Sequence, residues 1–187
     1  MTEKPAHRPR TRHPGDLTPE AEIARMIRVD HAGEYGAARI YDGQLAVLGR
    51  TPSGPVIQAM ADQEQSHLAT FDRLVIERRV RPTLLSPLWH AAGFALGAAS
   101  ALMGPRAAMA CTVAVEEVIG EHYAGQIEAL GDDEAELRDV VEEFRADELG
   151  HRDTALGEGA EEMAGYAPFS AVVKTGTRLA IWLSERI

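Results

Sequence analysis

What this chain lacks narrows it first. It has one cysteine, Cys111, so neither an internal disulfide nor a CxxC metal or redox motif can form. A lone cysteine of this kind is expected as a small buried apolar residue. Aromatics make up 5% of a chain that is 45% hydrophobic, a balance that suits packed helices better than sheets. Positive charge is also scarce. A formal net charge of −10 argues against nucleic acid as a partner, because phosphate recognition needs a basic surface. No GxGxxG stretch occurs, so there is no dinucleotide-binding fingerprint. The 187 residues suffice for one domain with a sizeable core.

The basic, proline-rich residues 1–17 contain no apolar run and do not read as a secretory signal. A flexible arm followed by a single domain over 18–187 is expected. Thr18-Pro19-Glu20 reads as a cap and first turn, opening a helix that should run to Leu48 and stop at Gly49. After the turn "RTPSGP" a second helix is expected from about Pro55 to Arg79, before Pro82 and Pro87 break the chain. A third should span Arg106–Leu130. A fourth, capped by Asp132 or Asp133, should reach Leu156. "GEGAEEMAGYAP" reads as a polar linker. "SAVVKTGTRLAIWLSERI" then forms a last helix, apolar on one side, in which Trp182, Lys174 and Arg178 leave an interfacial role open.

Between Thr83 and Val115 the only formal charge is Arg106, and Ser86–Gly104 is uncharged over 19 residues. That length touches the threshold for a membrane span. Pro87, Gly93, Gly97, Gly104 and Pro105 interrupt it, so a span is the weakest reading. Two others stand: a buried core helix, or an apolar hairpin in the membrane interface with Arg78, Arg79 and Arg81 as phospholipid contacts.

An internal echo organises the chain. "GQLAVL" (43–48) resembles "GQIEAL" (125–130), an offset of 82 that also carries Glu34 onto Glu116. Downstream of each glutamate lies one ExxH, Glu64/His67 and Glu148/His151, and a spacing of three sets both side chains on one helix face. About a turn near residue 51, Glu34 lies 17 residues before and Glu64 13 after. At about 1.5 Å of rise per residue, an antiparallel pair sets them within roughly 6 Å along the axis. Glu116 and Glu148 are similarly level about residue 131. On the third helix Thr112, Glu116, Ile119, Tyr123, Ile127 and Leu130 share one stripe, while Glu117, Glu121 and Glu128 mark the wet side.

An inward carboxylate is costly unless paired or metal-bound, and no lysine or arginine joins the stripe. Four carboxylates balance two divalent cations, and two neutral imidazoles complete the shell. One glutamate from each of two helices plus an ExxH from each of the other two is the dinuclear pattern of ferritin-like bundles. Mixed oxygen and nitrogen donors without thiolate fit iron or manganese better than structural zinc. A single ExxH is a weak signal; two copies, each with a level glutamate, are a strong one. Leu68 and Phe71 are expected as an apolar wall beneath the metals, Gln63 and Gln65 to face solvent, and Asp147 to orient an opposite histidine.

The blocks "RMIRVDHAGEYGAARIYDGQLAVL", "EQSH", "ACTVAVEEVIGEHYAGQIEAL", "DELGH" and "LAIWLSERI" together resemble the demethoxyubiquinone hydroxylase family of ubiquinone biosynthesis over about residues 20–187. The resemblance implies an all-α, ferritin-like four-helix bundle with an extra apolar segment and a C-terminal helix. It implies two iron ions per chain, held by Glu34, Glu64, His67, Glu116, Glu148 and His151, the six that spacing selects. The family's histidine–tyrosine pair beside the site matches His122 and Tyr123. The implied reaction uses O₂ and two electrons, from reduced nicotinamide or a quinol, to hydroxylate a membrane-dissolved demethoxy-polyprenylquinone. The implied setting is the cytoplasmic face of a bacterial inner membrane, as a peripheral protein, with homo-oligomers or ubiquinone-biosynthesis proteins as possible partners. A ferritin-like peroxidase or iron oxidase is the rival enzyme, and a metal-stabilised helical adaptor at membranes the non-enzymatic one. A rubrerythrin-like chain would need a cysteine-rich module that one cysteine cannot supply.

Overall fold

A computed structural model describes residues 15–187, so the expected arm over 1–17 lies almost wholly outside the described residues. Six α-helices follow in order: α1 Pro19–Leu48, α2 Gly54–Glu77, α3 Ser86–Leu102, α4 Pro105–Ala129, α5 Ala135–Gly157 and α6 Tyr166–Ser184. The start of α1 is as the sequence dictates. The Thr18 hydroxyl accepts from the Ala21 amide, with proline in the first turn. The start of α5 is not: Asp132–Glu134 form a 3₁₀ turn before the helix, and neither aspartate caps it. Asp132 instead accepts from Arg138 at 3.2 Å. Part of the expected polar linker is also structured, as a 3₁₀ turn over Ala160–Glu162.

The bundle divides into two three-helix halves. Helix α1 packs against α2 and α3, and α4 packs against α5 and α6. The buried stripe of α1 reads Ile27, Asp30, Glu34, Ala37, Tyr41, Gln44, Leu48. Adding 82 to each number gives Met109, Thr112, Glu116, Ile119, Tyr123 and Gln126 of α4, then Leu130 at its cap, and all seven are buried. In α2, Ile57, Met60, Glu64, His67 and Phe71 are buried; adding 84 gives Val141, Phe144, Glu148, His151 and Ala155 of α5, buried likewise. Steps of three and four keep each set on one face. The α4 stripe turns inward through Gln126, leaving Ile127 half-buried.

Two apolar clusters close the ends of the bundle. One joins Ile27, Phe71, Ile119, Leu130, Val141 and Phe144; the other joins Leu48, Ile57, Met60, Met109, Val113 and Ala155. The inward polar residues lie between them. Cys111 is fully buried, as expected, and burial pushes its thiol up to about 12.

The apolar segment resolves into α3, a turn, and the first turns of α4. Helix α3 lies against α1 so closely that a Cβ on Gly97 would strike the Ile40 carbonyl, and one on Gly43 the Phe94 carbonyl. Its outer side is apolar too: Leu88, Phe94 and Leu102 are exposed, as are the flanking Leu84 and Met103. It is therefore not a fully buried core helix: it packs on α1 with one side and leaves the other apolar side exposed. Among the described residues, no helix is long and apolar enough to cross a membrane. The basic groups expected at lipid are largely engaged elsewhere. Lys174 and Arg178 of α6 pair with Glu117 and Glu121 of α4, Arg78 pairs with Glu134, and Arg81 donates to the Ile187 carbonyl.

Candidate metal centre

Midway along the bundle, α1 supplies Glu34, α2 Glu64 and His67, α4 Glu116, and α5 Glu148 and His151. None is more than 4% exposed. Their donor atoms form two groups, each within 4.8 Å: Glu34, Glu64, His67 and Glu148; and Glu64, Glu116, Glu148 and His151. Glu64 and Glu148, the glutamates of the two ExxH pairs, belong to both groups. The six residues chosen by spacing are thus brought together, with two carboxylates placed to serve two cations.

Each histidine is held by its outer nitrogen. His67 Nε2 lies 3.1 Å from Asp147 Oδ2, and His151 Nε2 lies 3.0 Å from Gln63 Oε1. An acceptor at Nε2 fixes the proton there and leaves the Nδ1 lone pair facing the cage. The Nδ1 atoms sit 3.1–3.5 Å from carboxylate oxygens without hydrogen-bond geometry to any of them. Asp147 meets the opposite histidine as expected. Gln63 does not face solvent as expected: it is half-buried and performs the same task for His151. His67 also stacks on Phe144 at 3.9 Å, and Phe144 in turn meets Phe71 edge-on at 5.7 Å. Phe71 is therefore part of the apolar wall, whereas Leu68 is half-buried and belongs to neither core cluster.

Both glutamates of α1 and α4 are tied across the halves. Tyr41 of α1 donates to Glu116 Oε1 at 2.7 Å, and Tyr123 of α4 donates to Glu34 Oε1. His122 turns to a different network, its Nε2 lying 3.3 Å from Asp30 Oδ1 and 2.9 Å from Gln126 Nε2. Gln126 Nε2 also donates to Asp30 Oδ1 at 2.6 Å. Its counterpart Gln44 donates to the Ala108 carbonyl and to Thr112. Tyr41, Asp30, Gln44, Gln126 and Gln63 are the functional neighbours that sequence reasoning missed. The offset of 82 that links Glu34 to Glu116 would have found Tyr41 from Tyr123, and it pairs Gln44 with Gln126.

The charge balance calls for cations. Both oxygens of Glu64 and of Glu148, and one each of Glu34 and Glu116, are buried without a hydrogen-bond partner. Burial is the largest influence on each carboxyl. It pushes Glu64 and Glu116 well above the ordinary carboxylate range, and Glu148 raises both further. Glu34 is raised as well, burial prevailing over its contact with His67. Burial acts in the same direction on Glu148, but His151 and His67 outweigh it and bring it down to about 2. For His67 burial alone would lower the pKa, yet Glu148 and Glu34 carry it up to about 10. Without metal the cluster must therefore share protons instead of holding four charges. Six carboxylate oxygens and two imidazole Nδ1 atoms without a hydrogen-bond partner fit a pair of divalent ions with oxygen and nitrogen ligands, which would displace the proton His67 holds.

Beside this cage lies an apolar cavity of about 320 Å³ between α1, α3, α4 and α6. Gly33 and Ala37 flank Glu34 on its wall, and Val115 and Ile119 flank Glu116. Gly36, Gly93 and Gly176 widen it, and Trp89, which donates to Ser184 at 3.0 Å, stands at its edge. Among the described residues, no charged side chain lines it.

Comparison with known proteins agrees with this chemistry. The family described as "Ubiquinone biosynthesis protein COQ7" matches residues 21–184. A Rhodospirillum rubrum protein named "3-demethoxyubiquinol 3-hydroxylase" is 55% identical over 177 residues, covering 94% of this chain and 84% of the relative. A human protein named "NADPH-dependent 3-demethoxyubiquinone 3-hydroxylase, mitochondrial" is 53% identical over 92% of this chain and 81% of its own. The Saccharomyces cerevisiae "5-demethoxyubiquinone hydroxylase, mitochondrial" is 44% identical over 100% of this chain and 87% of its own.

Proposed function

Because this chain belongs to the ubiquinone biosynthesis protein COQ7 family, we infer that it is an enzyme of ubiquinone biosynthesis that hydroxylates a demethoxyquinone. The observation that carries this reading is the buried cage of four glutamates and two histidines set against an uncharged cavity. A peroxidase or an iron oxidase would need the cage but no apolar chamber beside it.

In this reading Glu34 and His67 would hold one iron ion, Glu116 and His151 a second, and Glu64 and Glu148 would serve both. Iron bound there would supply the activation of O₂, which no side chain can perform. The overall reaction places one oxygen atom in a ring C–H bond and reduces the other to water, consuming two electrons. A reduced nicotinamide is the donor we assign, in line with the human relative's name; a quinol is the other candidate. The side chains keep the cage in register. Asp147 and Gln63 hold protons on the outer nitrogens, so that both Nδ1 atoms stay free for metal. Tyr123 and Tyr41 steady Glu34 and Glu116 through one oxygen each. His122 and Asp30 form a proton-holding pair adjacent to Tyr123 on the approach from α1 and α4. The apolar cavity excludes water and takes the quinone ring, its wall of glycine and alanine leaving room for a flat ring.

The exposed apolar side chains of α3, with Val172, Leu179 and Trp182 on α6, are the face we assign to the membrane. Residues 18–187 would then be one domain resting on the cytoplasmic surface of a bacterial inner membrane, and partner proteins or a second copy would meet this same face. The test is direct. Protein loaded anaerobically with two equivalents of iron and given reductant, O₂ and a demethoxyquinone should yield hydroxyquinone by mass spectrometry. Turnover of peroxide without any hydroxylation would establish the peroxidase instead.

A further inference from the structure

The cage has a second neighbour, on the side away from the apolar cavity. Helices α2 and α5, which carry the two ExxH pairs, flank a groove of about 540 Å³ whose floor includes His151, Gln63 and Asp147. We propose that this groove is the aqueous passage by which a divalent metal ion reaches the cage, separate from the cavity that admits the quinone. The proposal rests on the cage being a metal site and is independent of the quinone chemistry.

A hydrated dication is expensive to strip in apolar surroundings. The cavity between α1, α3, α4 and α6 offers no charged side chain, and the two apolar clusters close the ends of the bundle. The α2–α5 groove differs in its polar groups. The Asp147 side chain is 33% exposed, and its carboxylate stands 3.1 Å from His67 Nε2. It can therefore attract a cation from solvent and sits one imidazole away from the cage. Gln63 holds the corresponding place at His151, 3.0 Å from Nε2. The carboxylate and the amide meet a hydrated ion in turn, and neither is a buried cage ligand. The walls are small: Ala59, Ala146 and Gly150 line the groove, and a Cβ on Gly150 would meet nothing within 4 Å. A side chain placed there would start in open space on the wall of the groove.

The test is the rate of Co²⁺ uptake by metal-free protein, followed by stopped-flow visible absorbance with no quinone present. Gly150→Leu should slow uptake about tenfold, a change well outside assay scatter, while the final stoichiometry stays that of the parent. Asp147→Asn should slow it as well, and more at low salt than at high, as expected for a carboxylate that gathers cations. Gly36→Leu, which narrows the apolar cavity and whose Cβ also meets nothing within 4 Å, should leave the rate unchanged. Parent-like uptake by Gly150→Leu, or slowed uptake by Gly36→Leu, would overturn the proposal. If Gly150→Leu fails to reach parent stoichiometry, Ala59→Leu on the opposite wall decides by the same criterion. A parent protein that takes up no Co²⁺ at all would overturn the metal reading itself.

Discussion

Replacing Glu116 by glutamine should stabilise the metal-free protein and forfeit that advantage once metal is bound. Glu116 is fully buried, and its carboxyl is raised well above its ordinary value of 4.5, first by burial and then by Glu148. A carboxyl raised by folding contributes stability at low pH that is lost as pH rises, because the native state holds a proton the unfolded chain releases. Above the ordinary value, holding that proton costs up to about 1.36 kcal/mol for each pH unit. Glutamine has the same shape, keeps an oxygen for the Tyr41 hydroxyl and carries no proton to hold. Against about 1–2 kcal/mol for imperfect amide pairing, Glu116→Gln should stabilise the metal-free protein at pH 7.5, and increasingly so as pH rises. Near pH 4.5, where the proton costs almost nothing, only the pairing loss of about 1–2 kcal/mol should remain, and the variant should be the less stable protein. Metal should erase the advantage gained at higher pH. A metal at 100 times its Kd stabilises by about 2.7 kcal/mol per site, and Glu116 belongs to one of the two donor groups. The variant should therefore lose roughly that amount of metal-induced stabilisation and bind one fewer ion. Urea denaturation with and without Mn²⁺, at three pH values, measures both effects. Glu117→Gln is the control. It breaks an ion pair with Lys174 at the partly exposed α4–α6 seam, which should cost at most about 1 kcal/mol with metal binding unchanged. Equal destabilisation of Glu116→Gln with and without metal would refute the argument, because it would make Glu116 an ordinary structural group.

Gly97→Val should lower stability by about 1–3 kcal/mol or more, since its side chain would strike the Ile40 carbonyl. Thermal melts check this, and a parent-like Tm would mean that α3 is free to move away from α1. Cys111, with its thiol pushed up to about 12 by burial, should resist iodoacetamide at pH 8 in the native protein and react promptly in urea; labelling read by intact mass distinguishes the two. Leu88→Ser combined with Phe94→Ser should reduce co-sedimentation with anionic vesicles several-fold and leave metal stoichiometry unchanged, because both side chains are exposed on α3 and away from the cage.

The metal cage was legible in the sequence because its logic is periodic. A stripe of steps of three and four fixes which side of a helix is buried, and a short turn fixes which residues of two antiparallel helices are level. Those two rules selected Glu34, Glu64, His67, Glu116, Glu148 and His151 without a third dimension. The groups around the cage follow no such rule. Asp147, adjacent in sequence to a cage glutamate, was expected at the opposite histidine and is there, but Gln63, equally adjacent and expected at solvent, serves the other histidine, which only the lateral distance between α2 and α5 decides. The place of α3 was equally hidden. Its composition admits a core helix or an interfacial hairpin. The outcome was decided by glycines at 43 and 97, which let two backbones touch while the opposite apolar side stays exposed. Asp132 and Asp133 had cap-forming side chains, yet both lie in a 3₁₀ turn ahead of α5, where Asp132 accepts from Arg138.

The crossed tyrosine bonds also set an order of events in folding. Tyr41 reaches Glu116 across 75 residues of chain and Tyr123 reaches Glu34 across 89, whereas α1 meets α2, and α4 meets α5, through short turns. Local hairpins form quickly, and contacts of large sequence separation come later, after loop closure has been paid for. Neither hairpin alone holds a complete donor group, since each of the two groups draws on both halves. Metal capture should therefore be the last step and should report that the halves have docked. A chain arrested as two separate hairpins would be strongly helical and yet unable to bind metal.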